Sequence, residues 1–215
     1  MAWFSRKPSR RERAPGVLDS GVWHSPGLAS VCGALRRSDQ PAVLDLGGSS
    51  SESFEFLGAL AHDIVVQDIF HSSGEPVGQR AELFRFASAD EVSLPAPADG
   101  QFDAILAWDV FHYLPRGERR AFGQRLAALC AEGGRVFVIA SQTTPVPPTP
   151  IHFKILGDEE VEYVLGPARV EAPQLTTREV EQALAPLVPE RVFQLRNGLR
   201  ELVLGARAEP ATGGS

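Results

Sequence analysis

The chain has 215 residues, 43% of them hydrophobic and 22% charged, which suffices for one soluble domain with a substantial core. Its longest purely apolar stretches, such as Val136 to Ala140, fall far short of the roughly 20 residues that cross a bilayer, so no membrane span is expected. The net charge of −6 is uneven: residues 1 to 15 carry five basic groups against Glu12, net +4, leaving 16 basic and 26 acidic residues downstream, a body that repels nucleic acid phosphates.

Residues 1 to 15 read as a disordered, solvated basic leader, and residues 207 to 215 as a frayed tail. No apolar run follows Arg10-Arg11, so no export signal is expected and the location by default is cytoplasmic. Cys32 and Cys130 stand far apart without His or Cys companions at ligand spacing, which leaves buried, reduced thiols and no metal site. With only Lys7 and Lys154 as lysines, lysine-dependent chemistry is nearly excluded.

In chain order, Ser25 followed by proline predicts a helix from Pro26 to Ser38. Pro41 to Gly48, PAVLDLGG, predicts a buried strand ending in Asp45 and a glycine turn, followed by a helix carrying Phe54, Leu57 and Leu60 on one face. Asp63 to Phe70 predicts a second strand ending near Asp68, Glu82 to Ser88 a third, and Phe102 to Trp108 a fourth. A helix from about Arg116 to Ala131 is stopped by Gly133-Gly134 and leads into a fifth strand, RVFVIAS. Beyond a proline-rich loop, a hairpin turns near Gly157-Asp158, within an inserted lid at about 143–170. Thr176 with Glu179 makes a capping box for a last helix, and Asn197-Gly198 marks a terminal hairpin. Strands alternating with helices give an α/β class.

This order, with VLDLGGSSS at the first turn and DGQFDAILAWDVFHYL at the fourth strand, resembles the class I S-adenosylmethionine-dependent methyltransferases over about Ser25 to Ala206. Asp45 and Gly47 match the family's acidic and first glycine positions, while Ser49 and Ser51 replace later glycines. The resemblance implies a three-layer Rossmann-like sandwich, its mostly parallel seven-stranded sheet ending in an antiparallel C-terminal hairpin, in a single domain over residues 16–206. S-adenosyl-L-methionine is the cofactor it implies. It sets Asp45, Gly47, Gly48 and Ser49 against the methionine end, Asp68 at the ribose hydroxyls and Asp90, or Glu91 beside it, at the adenine amine. Ser49 and Glu52 also read as a capping box. Trp108 packs on adenine or fills the core at the sheet end.

Removal of a proton from a hydroxyl or amine acceptor needs a base, and Asp109, His112 and Tyr113 are the clustered candidates. His112 is the better base on chemistry, although a histidine that begins a helix is more often a polar surface or capping group. The acidic body favours a small-molecule acceptor, with no nucleic acid partner; oligomeric state is not readable. A nicotinamide fingerprint G-x-G-x-x-G and a hydrolase elbow G-x-S-x-G are both absent from GGSSSESFEF. The alternative from another class is a methyltransferase-like protein that acts by contact without catalysis.

Overall fold

The computed structural model describes residues 21–48, 50–67, 90, 92, 94–95, 100–141, 146, 152–163 and 175–205. Strand β1 (Gly21–His24) precedes helix α1 (Pro26–Leu35), then β2 (Ala42–Asp45), α2 (Ser51–Gly58), β3 (Asp63–Val66) and β4 (Phe102–Trp108). A 3-10 turn (Val110–His112) leads to α3 (Arg119–Leu129) and β5 (Cys130–Ser141). The chain continues through β6 (Phe153–Gly157), β7 (Glu160–Tyr163), α4 (Thr177–Ala183), β8 (Val188–Gln194) and β9 (Leu199–Gly205).

Among the described residues the main sheet has six strands in the order β3-β2-β4-β5-β9-β8. Pairings β2·β3, β2·β4 and β4·β5 are parallel, whereas β5·β9 and β8·β9 are antiparallel. The described residues thus give a mixed α/β sheet with parallel pairing through β5 and the expected antiparallel terminal hairpin of β8 and β9. The expected third strand, 82–88, lies outside the described residues, as do the leader and the tail.

Side-chain alternation along the strands builds two separate cores. Leu44, Ile105, Val136 and Val138 face α3 and α4 with Phe111, Phe122 and Leu126. Val43, Ala104, Leu106, Trp108, Phe137 and Ile139 face α1 and the β6–β7 hairpin with Leu28, Val31, Phe153 and Ile155. Both faces of the sheet are thus covered, as a parallel sheet requires.

Local chemistry sets the helix ends. The Ser25 side chain accepts from the Leu28 amide ahead of Pro26, and Thr176 and Glu179 exchange both bonds of the capping box. Helix α2 is capped by Ser50, whose Oγ accepts from the Ser53 amide at 3.0 Å, one residue later than a Ser49–Glu52 box would place it. Helix α3 ends at Leu129, not Ala131, because Cys130 already pairs with Phe102 in β5. Gly134 lies inside that strand: a Cβ there would come 2.8 Å from the Phe102 carbonyl oxygen.

The hairpin turning after Gly157 pairs with β1 to form a second, three-stranded antiparallel sheet in the order β1-β7-β6. Its inward residues Phe153, Ile155, Val161 and Tyr163 are buried, and Trp23 of β1 lies 4.2 Å from Tyr163 between ring centroids. Strand β1 was not expected from the sequence. At the start of α1, the wholly buried Glu201 of β9 accepts from the Gly27 amide at 2.7 Å, an anion against a helix N-terminus. Burial nevertheless pushes its carboxyl above the ordinary value of 4.5, opposed by hydrogen bonds from Ser25 and Gly27.

Candidate functional site

The chain leaves β2 to add β3 on one side and later β4 on the other. The crevice at the carboxyl ends of β2 and β4 is therefore the sheet's topological switch point, where open α/β sheets bind ligands. Asp45 ends β2, Leu46, Gly47 and Gly48 follow it toward α2, Trp108 ends β4 and Asp109 follows it. The amide of Gln67 donates to the Asp45 carbonyl at 2.8 Å, so the ends of β3 and β2 lie side by side.

Asp45 is 2% exposed, and its Oδ1 accepts from the Gly47 amide at 2.9 Å and from the Trp108 indole Nε1 at 2.6 Å. Trp108 holds this position from a left-handed backbone with φ of 47°, rare for a bulky residue. Its indole stacks on Phe153 at 4.6 Å with 9° between planes and meets Phe137 edge-on at 5.5 Å. A Cβ on residue 47 would sit 2.6 Å from the indole nitrogen, so glycine is needed there for the tryptophan to reach Asp45. A Cβ on residue 48 would collide with the imidazole of His152, which lies on the loop just ahead of β6.

Strand β6 is fastened to the first turn of α2. The Ile155 amide donates to Ser53 Oγ at 2.9 Å, and Lys154 Nζ pairs with Glu52 Oε1 at 2.7 Å and with Glu162 Oε2 at 3.5 Å. The Lys154 hydrogen bond holds the Glu52 carboxyl below its ordinary value and the Lys154 amine above it. Phe153, Ile155 and Tyr163 of this hairpin belong to the core beside the crevice.

The three expected acid-base residues cluster just past β4. Asp109 is 3% exposed and its Oδ2 accepts from the Tyr113 hydroxyl at 3.3 Å. Burial first, and the Asp109 charge second, hold the Tyr113 phenol well above its ordinary value of 10, so it stays protonated near neutral pH. His112 is buried, and its Nε2 accepts from the Ser141 amide at 2.9 Å, tying the turn after β4 to the end of β5. That lone pair is committed while the bond stands.

Asp90 lies on the surface, with its Oδ1 3.4 Å from Arg125 Nη1 of α3. Ser49, Asp68 and Glu91 lie outside the described residues. Among the described residues no group of three or more His, Cys, Asp or Glu side chains is placed to hold a metal ion, and no helix is long and apolar enough to cross a membrane.

The first loop can be tested for the methionine end of an adenosyl sulfonium. The N-terminus of α2 offers amides suited to a carboxylate, but the space over Gly48 is taken by the His152 ring and that beside Gly47 by the indole. In this arrangement the loop does not accept that group. Trp108 is buried and locked by stacking, whereas His152 is exposed. The pairing of Asp45 with Trp108, and the seat of His152 on Gly48, escaped the sequence reading; no local signal links residues so far apart.

No family model and no curated protein matches the sequence. Solved structures do. An S-adenosylmethionine-dependent methyltransferase from Clostridium acetobutylicum is 12% identical, with a TM-score of 0.50 over 84% of this chain and 89% of that one. One from Mesorhizobium loti is 14% identical, with 0.48 over 83% and 95%. The 1,6-didemethyltoxoflavin-N1-methyltransferase of Burkholderia thailandensis, solved with that compound and S-adenosylhomocysteine, is 16% identical, with 0.45 over 83% and 75%. The likeness to the clostridial enzyme answers the resemblance read from the first turn and fourth strand: the chain has the Rossmann-like fold of the class I S-adenosylmethionine-dependent methyltransferases.

Proposed function

We propose that this chain is a methyltransferase that binds S-adenosylmethionine at the carboxyl ends of β2 and β4 and transfers its methyl group to a small molecule in the cytoplasm. The observation that supports the reading is the crevice itself: Asp45, the first loop, the N-terminus of α2 and the Trp108–Asp109 corner meet at the switch point of a methyltransferase-like sheet. Asp68 is proposed to hold the ribose hydroxyls and Asp90 to serve the adenine end. Asp109 is proposed as the proton acceptor for a hydroxyl or amine substrate, with Tyr113 donating to it and His112 fixing the turn. The acidic body supports a small acceptor over a polyanionic one.

A second reading, a methyltransferase-like protein that works through contact alone, is favoured by one observation: His152 and Trp108 stand in the loop where the methionine end would lie. Calorimetric titration of the full chain with S-adenosylhomocysteine separates the two. The enzyme reading expects micromolar binding that is lost in Asp68→Ala; absence of heat up to millimolar ligand overturns it.

A further inference from the structure

We propose that the groove between α1 and β8 is a second ligand site, separate from the crevice, which binds a phosphomonoester carrying a flat apolar body. The groove has a volume of about 370 Å³, within the range of small-molecule sites. Helix α1 makes one wall through Ala29, Ser30 and Gly33, with Arg37 just past its end, and Arg191 and Phe193 of β8 make the other. Strand β8 is the outermost of its sheet and three places from β4, so it stands ~14 Å from that strand.

Two guanidiniums line this groove without a counter-charge. Among the described residues neither Arg37 nor Arg191 has an ion-pair or hydrogen-bond partner. The acidic residues on the flanking segments answer other bases: Asp158 pairs with Arg36 at 2.5 Å, Glu159 with His24 at 2.9 Å and Glu190 with Arg135 at 2.9 Å. The chain carries 27 acidic against 21 basic residues, so two unanswered cations in one groove do not reflect a general surplus of base. Like charges sharing a groove repel, and an anion between them replaces that repulsion with attraction.

The lining selects the ligand. Two cations match two charges, which a phosphomonoester approaches near neutral pH and a carboxylate does not. Guanidinium forks donate in pairs to phosphate oxygens, and the Ser30 hydroxyl on the same wall adds a donor. The half-buried Phe193 ring offers the apolar body a flat face beside the charged end. Gly33 keeps the wall open: a Cβ there would meet only Arg37 Nη1, at 3.7 Å, so the guanidinium lies over the glycine.

The test is calorimetric titration of the full chain with phenyl phosphate, in wild type, Arg37→Gln, Arg191→Gln, Gly33→Leu and, as a control, Arg120→Gln. Arg120 is exposed in the first turn of α3, on the other face of the sheet. Both groove arginines are exposed, so their variants should melt as wild type does. Wild type and Arg120→Gln should bind alike, each groove arginine variant should bind about 10-fold more weakly or worse, and Gly33→Leu should abolish binding by filling the groove. Wild type should also prefer phenyl phosphate to benzoate and to inorganic phosphate. Absence of wild-type binding at millimolar phenyl phosphate overturns the site, as does wild-type affinity retained in either groove arginine variant or an equal loss in Arg120→Gln. Equal affinity for benzoate or inorganic phosphate overturns the ligand assignment. None of these outcomes bears on S-adenosylhomocysteine at the crevice.

Discussion

Trp108→Phe is the substitution that probes the crevice most sharply. Phenylalanine keeps an aromatic ring on Phe153 but removes the indole N–H that reaches Asp45 Oδ1 at 2.6 Å. Both partners are almost wholly buried, so water does not replace the lost donor. A hydrogen bond to a buried charged group contributes about 1.5–3 kcal/mol, and Trp108→Phe should lower stability by that amount. For a domain of this size the melting temperature falls by about 4–10 °C. The assay is urea denaturation of wild type, Trp108→Phe, Asp45→Asn and the double variant. The cycle isolates the pair, with an expected coupling of about 1.5–3 kcal/mol. A coupling below about 0.5 kcal/mol would refute the claim that Trp108 holds Asp45 in place.

Two further outcomes follow from buried titratable groups. Because burial raises the Glu201 carboxyl above 4.5, its favourable share of stability is present below pH 4.5 and is lost as pH rises through the folded value. Glu201→Gln, which lacks the ionised form, should therefore gain stability relative to wild type as pH rises from 4.5, read by urea melts across that range; a pH-independent difference contradicts it. Burial pushes both the Cys32 and Cys130 thiols up to about 12, so neither should react with a thiol-directed disulfide reagent at pH 8 in the native protein, and both should in urea. Fast native labelling of either would contradict the packing described.

How much of this was legible beforehand depends on distance along the chain. The Thr176–Glu179 box and the Ser25 cap involve partners three residues apart, so composition alone announces them. The terminal hairpin is likewise marked at Asn197-Gly198, where Gly198 adopts φ of 87°. Strand β1 was not legible, because four residues with Val22 exposed carry no pattern and their partner β7 is remote in sequence. Glu201 reads as an ordinary polar residue in a strand until β9 brings it to Gly27, 174 residues earlier.

The site divides in the same way. Asp45 and the glycine turn were readable from strand, turn and helix in succession, and the fourth strand from its apolar run. That Gly47 makes room for an indole and Gly48 for an imidazole was not, since glycine records only that a side chain is unwelcome, not what approaches. His112 illustrates the converse: its type suggested a base, and tertiary contact instead sets its Nε2 on the Ser141 amide.

The central claim is that the crevice between the carboxyl ends of β2 and β4 receives an adenosyl ligand. A crystal structure of the full chain with S-adenosylhomocysteine tests it most directly. The account predicts the ligand between the carboxyl ends of β2 and β4, with its amino-acid end toward the start of α2. Density for the ligand elsewhere, or an empty crevice at saturating ligand, would contradict it.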